Sequence, residues 1–182
     1  MDTDLVVRAQ RGDKGAYALL AARIADRFLA VARRILRDRD LAEDATQQAL
    51  LTVWQDLPRL NDPARFEAWS YRLLVHACYA EGRKERRWSP NLRVLPTDEA
   101  KSDAGLGAVV DRDQLERGFR RLPIDHRTVV VLYHYLDKPL DEIARILEIP
   151  VGTAHSRLHH AMRGMRAALE ADARPTAREA AQ

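Results

Sequence analysis

Leu140–Leu169, LDEIARILEIPVGTAHSRLHHAMRGMRAAL, is the stretch whose reading decides the fold. Leu140, Ile143, Ala144 and Leu147 recur at helical spacing and give one apolar face. Pro150 biases the preceding residue away from the helical region, so a turn is expected at Glu148-Ile149-Pro150. Gly152 and Thr153 then open a second helix, with Thr153 a candidate cap. Its inner face is Ala154, Leu158, Ala161, Met165 and Leu169. Its outer face carries His155, Ser156, His159, His160 and Arg163, with no acidic residue before Glu170. Such a face suits a helix lying in the major groove of DNA. An ordinary helical hairpin with a solvated basic face fits the spacing equally well at this point.

Composition narrows the context. The chain has 182 residues, room for two modest helical cores. Thirty Lys and Arg stand against 27 acids, so net charge alone does not argue for nucleic acid; its distribution matters more. The single cysteine, Cys78, excludes an internal disulfide and a multi-cysteine zinc site, and its apolar neighbours predict a buried, inert thiol. No apolar run reaches about 18 residues, so no membrane insertion is expected. The acidic start is unlike a signal peptide, and a cytoplasmic protein is expected. Abundant Ala, Leu and Arg, with only 8 Gly and 8 Pro, favour an all-α chain.

Upstream, Leu5 to Gln10 predicts a short helix that breaks at Gly12-Asp13. A long helix follows to about Arg37, with Tyr17, Leu20, Ile24, Phe28, Val31 and Ile35 on one face. The next, about Leu41 to Leu57, buries Leu41, Ala45, Ala49 and Val53. It leaves Glu43, Asp44, Gln47 and Gln48 elsewhere, either as a docking face or as a plain solvated one. Pro58 to Pro63 is a loop. The helix from about Ala64 to Trp88 interleaves Trp69, Tyr71, His76 and Tyr79 with Arg65 and Arg72, and ends in Arg83, Lys84, Arg86 and Arg87. Positive charge tracks phosphates and aromatic rings stack unpaired bases. The competing reading is that the aromatics are core and the basic run a frayed end. Ser89 to about Gly107 lacks helical period and reads as a linker between two domains, able to span up to about 65 Å if extended. Helices resume at about Val109–Leu122 and Ile124–Tyr135, and the residues after the final helix are expected to fray.

Taken in order, these motifs resemble the bacterial extracytoplasmic-function sigma factors of the sigma-70 family. Asp40-Leu41-Ala42-Glu43-Asp44-Ala45-Thr46-Gln47, ending in Leu51-Thr52-Val53-Trp54, is similar to the family's core-binding helix. Phe66-Glu67-Ala68-Trp69-Ser70-Tyr71-Arg72-Leu73 is similar to its promoter-melting segment. Leu122-Pro123-Ile124-Asp125-His126-Arg127 and Leu140-Asp141-Glu142-Ile143-Ala144 resemble the start of region four, and Pro150 to His159 its recognition helix. The likeness covers most of residues 16 to 170.

The resemblance implies two small helical domains on a flexible linker: region two at 1–88, linker 89–108, region four at 109–172 and a disordered tail 173–182. It implies docking on the β′ coiled coil of core RNA polymerase through Asp40, Glu43, Asp44, Gln47, Gln48 and Trp54. Region two would read the −10 element of promoter DNA as separated strand through Asn61, Arg65, Trp69, Arg72, His76, Arg83, Lys84, Arg86 and Arg87. Flipped bases would be held near the Leu60 to Ala64 loop. Region four, near the β flap, would read the −35 element as duplex through Thr153, His155, Ser156, Arg157, His159, His160 and Arg163, the two arginines serving phosphates. The family usually carries Lys or Arg at the place of His155, Glu at that of Gln48 and Asn at that of His76, so promoter preference is expected to be unusual. An inhibitory anti-sigma factor is implied as a further partner; no cofactor, metal or catalytic residue is. The alternative is a stand-alone helix-turn-helix regulator whose N-terminal half senses or dimerises. A docking helix followed by an aromatic-basic helix argues against it. An enzyme is disfavoured because no cluster has triad or metal spacing, and the His155/His159 pair has no acidic or cysteine partner nearby.

Overall fold

The computed structural model describes residues 3–88 and 116–172, and among these every element is helical. The expected linker and the expected frayed tail lie outside the described residues.

The first lobe begins with α1, Thr3–Gln10. Gly12, at φ 89°, makes the break. Asp13 then caps α2, Lys14–Leu36, by accepting from the Ala16 amide at 2.9 Å. Arg37, at φ 61°, closes α2 in the left-handed region. Asp38 repeats the capping device for α3, Arg39–Asp56, accepting from the Leu41 amide. Two 3₁₀ turns, Leu57–Arg59 and Pro63–Arg65, fill the expected loop and delay the start of α4, Phe66–Trp88. Gln10 donates to the carbonyls of Leu57 and Leu60, fixing that loop to α1. The Tyr17 hydroxyl donates to Leu50 O at 2.6 Å, joining α2 to α3. Phe28, Val31, Ile35, Val53, Phe66 and Leu74 are fully buried between α2, α3 and α4.

The second lobe comprises residues 116–120 (α5), α6 at Ile124–Val130, α7 at Leu140–Leu147 and α8 at Val151–Asp172. The helix expected from Ile124 to Tyr135 changes type halfway: Val131–Tyr135 is a π-helical turn, with the Leu136 amide bonded to Val131 O. Glu148, at φ 54°, ends α7 in the left-handed region, two residues before the proline expected to stop it. Pro150 instead starts α8: its carbonyl accepts from the amides of Thr153 and Ala154. Thr153 is therefore inside the helix and not its cap, a correction to the sequence reading.

Two modest cores were expected, yet one buried cluster runs from Leu5 through Phe28 and Leu74 to Leu132, Ile143 and Ala154. A smaller one joins Leu122, Val130 and Ala161. The lobes meet where α7 and α6 pack on α4, and where α6 and the π turn pack on α2.

Candidate binding surfaces

Three surfaces emerge from this framework, one on each of α3, α4 and α8. On α3, the caps and the small residues Ala42, Ala45 and Ala49 set which face is inside. Asp40, Asp44, Gln47 and Gln48 are exposed, and Trp54 is 37% exposed. Glu43 differs from its neighbours. It is half-buried and accepts from Arg39 at 2.9 Å and Arg33 at 3.3 Å. The Arg39 hydrogen bond, seconded by Arg33, holds its carboxyl below the usual carboxylate range. Beside this row lies a feature the sequence reading missed, an apolar groove of about 620 Å³ between α2 and α3. Tyr17, Ala21, Leu50, Leu51 and Trp54 line it, with Lys14 and Gln47 at its polar margin. Tyr17 and Trp54 stack obliquely, ring centroids 4.5 Å apart. The available signal was the tandem Leu50-Leu51. Adjacent helical residues point about 100° apart, and here Leu50 packs against the core while Leu51 is 56% exposed.

On α4, exposure divides the expected residues. Asn61, Arg65, His76, Arg83 and Lys84 are exposed. Trp69 is half-buried against Phe66, centroids 5.9 Å apart. The interleaved tyrosines are core: Tyr71 packs on Phe28 and burial pushes its phenol up to about 12, while burial also raises that of Tyr79. Lys84 pairs with buried Glu81 at 2.6 Å. Arg72 is half-buried and donates to Glu148 of the second lobe at 2.7 Å. The α4 backbone continues through Arg86 and Arg87, whose side chains lie outside the described residues. Cys78 is buried as expected, and desolvation lifts its thiol to about 12.

On α8, His155, Ser156, His159, His160 and Arg163 are all exposed. Thr153 is half-buried, and its carbonyl accepts from the Ser156 hydroxyl at 3.0 Å. His160 stacks on His126 of α6 at 6.2 Å between centroids. Arg157 does not join this face. It turns toward α6 and pairs with Asp125 at 3.3 Å, which separates it from the group expected to hold phosphates. The face is polar, free of carboxylates and formed by a helix whose opposite side is anchored by Ala154, Ala161 and Ala168. Among the described residues no group of three or more His, Cys, Asp or Glu could hold a metal ion, and no helix is long and apolar enough to cross a membrane.

Comparison with known proteins places these surfaces in a family. The family model for Sigma-70 region 2 matches residues 20–88, which hold the α3 and α4 surfaces. The model for Sigma-70, region 4 matches residues 112–165, which hold the α8 surface. The RNA polymerase sigma-H factor of Pseudomonas aeruginosa is 29% identical over 98% of this chain and 97% of its own. The ECF RNA polymerase sigma-E factor of Haemophilus influenzae is 26% identical over 88% of this chain and 90% of its own. Among solved structures, CnrH in complex with the cytosolic domain of CnrY superposes with a TM-score of 0.70 at 22% identity, covering 94% of this chain and 99% of that one. The sigma factor RpoE with the anti-sigma factor NepR from Bartonella quintana gives 0.70 at 20%, covering 86% and 98%. A stand-alone regulator has no use for region 2, and here region 2 and region 4 follow each other in one chain. The chain therefore belongs to the sigma-70 family as an extracytoplasmic-function sigma factor, the subunit that binds core RNA polymerase and directs it to promoters.

Proposed function

We propose that the three surfaces divide the work of initiation. The α3 row, Asp40, Asp44, Gln47 and Gln48, docks on the β′ coiled coil, and the neighbouring groove with Trp54 receives apolar side chains of the same partner. Asn61, Arg65, Trp69, Arg72, His76 and the basic end of α4 hold the −10 element as single strand, with cations on phosphates and an indole against a base. The histidine face of α8 reads the −35 element in the major groove, with region four near the β flap. Residues 1–88 and 109–172 act as the two domains, 89–108 as their linker and 173–182 as a tail. The chain is a specificity subunit and leaves the chemistry to the polymerase, which places its work in the cytoplasm. An anti-sigma factor controls it; the two similar structures are both complexes, one of them with a named anti-sigma factor.

The observation that carries this reading is that the α3 row stays exposed while the second lobe packs on α2 and α4. Asp44 is the clean probe, because it is exposed, whereas reversing Glu43 would set a cation against Arg39 and Arg33. Asp44→Arg should weaken binding to core polymerase by about tenfold, equivalent to about 1.4 kcal/mol. Helicity and binding to −35 duplex should stay unchanged. Equal affinity of variant and wild type for core polymerase would remove the docking assignment.

A further inference from the structure

Beside the α8 face stands a row of rings that no sequence motif singles out. The fold stacks His126 of α6 on His160 of α8, centroids 6.2 Å apart and planes 16° from parallel. His159 meets the same ring of His160 edge-on at 5.8 Å. Three imidazoles therefore run in sequence from α6 onto α8. His159 and His160 are exposed and His126 is half-buried. Their place on the recognition helix matters. At about 100° per residue, the exposed face of α8 centres on His159. Val151 and Met162 form one margin, about 60–80° from that centre, and both are apolar. Ser156, Arg163 and His160 form the other, with His160 about 100° from the centre. In a major groove the middle of such a face meets base edges, and its margins meet the phosphates of the groove walls. His126 extends the polar margin onto a second helix.

We propose that His126 and His160 together hold one backbone phosphate of duplex DNA, which makes His126 of α6 a contact residue of the duplex-reading surface. The proposal rests on the assignment of the α8 face to duplex DNA made above. Each imidazole offers an N–H donor when neutral and two when charged. A phosphate at the pair takes donors from both rings, and its charge offsets the repulsion between two protonated rings side by side. An anion is the ligand the row fits, because among the described residues no three such side chains could hold a metal ion. A phosphate contact fixes register and orientation on the duplex and carries no base preference of its own. His126 thus sets how α8 sits in the groove, while His155, Ser156 and His159 face the bases.

The surroundings favour an anion. Asp125, the carboxylate next to His126, is engaged by Arg157 at 3.3 Å. Arg157 leaves the outer face for this reason: it occupies the one acid that would otherwise compete for the imidazoles. From α4, Tyr79 and Arg83 stand beside Asp125. α6 also carries Arg127, and α8 carries Arg163. Arg37 of α2 is taken by Glu116. Imidazole gains its charge as pH falls between about 8 and 5. Phosphate favours the charged rings, so the contact takes up protons and strengthens on acidification.

A short fluorescent DNA duplex of mixed sequence is the probe, since a phosphate contact does not depend on sequence. Its binding to the full-length chain is measured at low salt, at about pH 6 and about pH 8. His126→Phe keeps a ring on His160 but removes the donor and the charge. It should bind about fivefold more weakly than wild type at pH 6 and within about twofold of it at pH 8. His126→Lys is a cation at both values and should bind more tightly than wild type at pH 8, a gain that a misfolded chain cannot produce. Equal affinity of His126→Phe and wild type at both pH values would overturn the contact. So would a loss in His126→Ala that His126→Phe does not share, because the ring would then only steady His160. His134→Gln, on the exposed π turn, should change nothing; a loss there equal to that of His126→Phe would make the effect general and overturn the assignment. Arg163→Gln separates this idea from the reading beneath it. If Arg163→Gln weakens duplex binding and His126→Phe does not, α8 reads the duplex without His126. If neither weakens it, the α8 assignment itself has failed.

Discussion

Asp13 shows how much one side chain can decide. It caps α2 through the Ala16 amide and accepts from Arg8 at 2.7 Å. The amide, then the guanidinium, hold its carboxyl below its ordinary value of 3.8. The folded chain thus favours the charged form. Its contribution is complete above about pH 4 and drains away as pH falls through the lowered folded value. Asn caps a helix as well as Asp but does not titrate. Asp13→Asn should therefore melt within a few degrees of wild type at neutral pH and lose less stability between about pH 4 and pH 2. Parallel thermal melts by circular dichroism at both ends of that range check this; equal acid losses would deny the carboxylate its role. At this scale the sequence was a good guide to residue type and a poor guide to partner. Arg72 reads correctly as a surface cation on α4, but its carboxylate stands 76 positions away. Arg157 likewise reads as a phosphate ligand until Asp125 is brought beside it by the fold.

Elements were legible wherever their cause is local. Apolar periodicity placed α2, α3, α4, α7 and α8 within a few residues, because burial of one face selects the helix. The recognition-helix face was legible for the same reason: once Ala154, Leu158 and Ala161 are inside, His155 and His159 must be outside. The groove beside Trp54 was not, since it is a gap between two helices and no single pattern describes it. Nor was the π turn, which inserts a residue without disturbing the apolar count. On α8, the polar face predicts a specific response. His155→Arg adds a permanent cation to an exposed position that faces no acid on its own helix. Binding to −35 duplex should strengthen, and the slope of log affinity against log salt should steepen by about 0.9 for one added phosphate contact. Salt titration of the holoenzyme or free chain on duplex DNA measures it. An unchanged slope would place residue 155 away from the backbone.

At the scale of the molecule, one buried cluster crossing both lobes has a thermodynamic meaning. Lobes that share a core unfold together, and their probes coincide. All three tryptophans, Trp54, Trp69 and Trp88, belong to the first lobe, while helicity reports both. Thermal unfolding followed by tryptophan fluorescence and by far-ultraviolet circular dichroism should give the same midpoint. A helical signal that melts in two steps, one without change in fluorescence, would show independent lobes. Two domains joined by a linker are the expectation from sequence, and the two lobes, matched separately by the region 2 and region 4 models, agree with it. What joins them, Glu148 to Arg72 and Tyr135 to Arg34, is a matter of surfaces meeting across the chain.

The π turn at Val131–Tyr135 lies within that junction. A π turn holds one residue more than the α-helix it interrupts. Deleting a single residue there, such as His134, would restore ordinary helical pairing and change the backbone that presents Tyr135 to Arg34. Neither α3 nor α8 would change by a single side chain. The grip between the lobes is therefore adjustable in the chain's length, by insertion or loss of a codon, separately from the residues that choose the promoter.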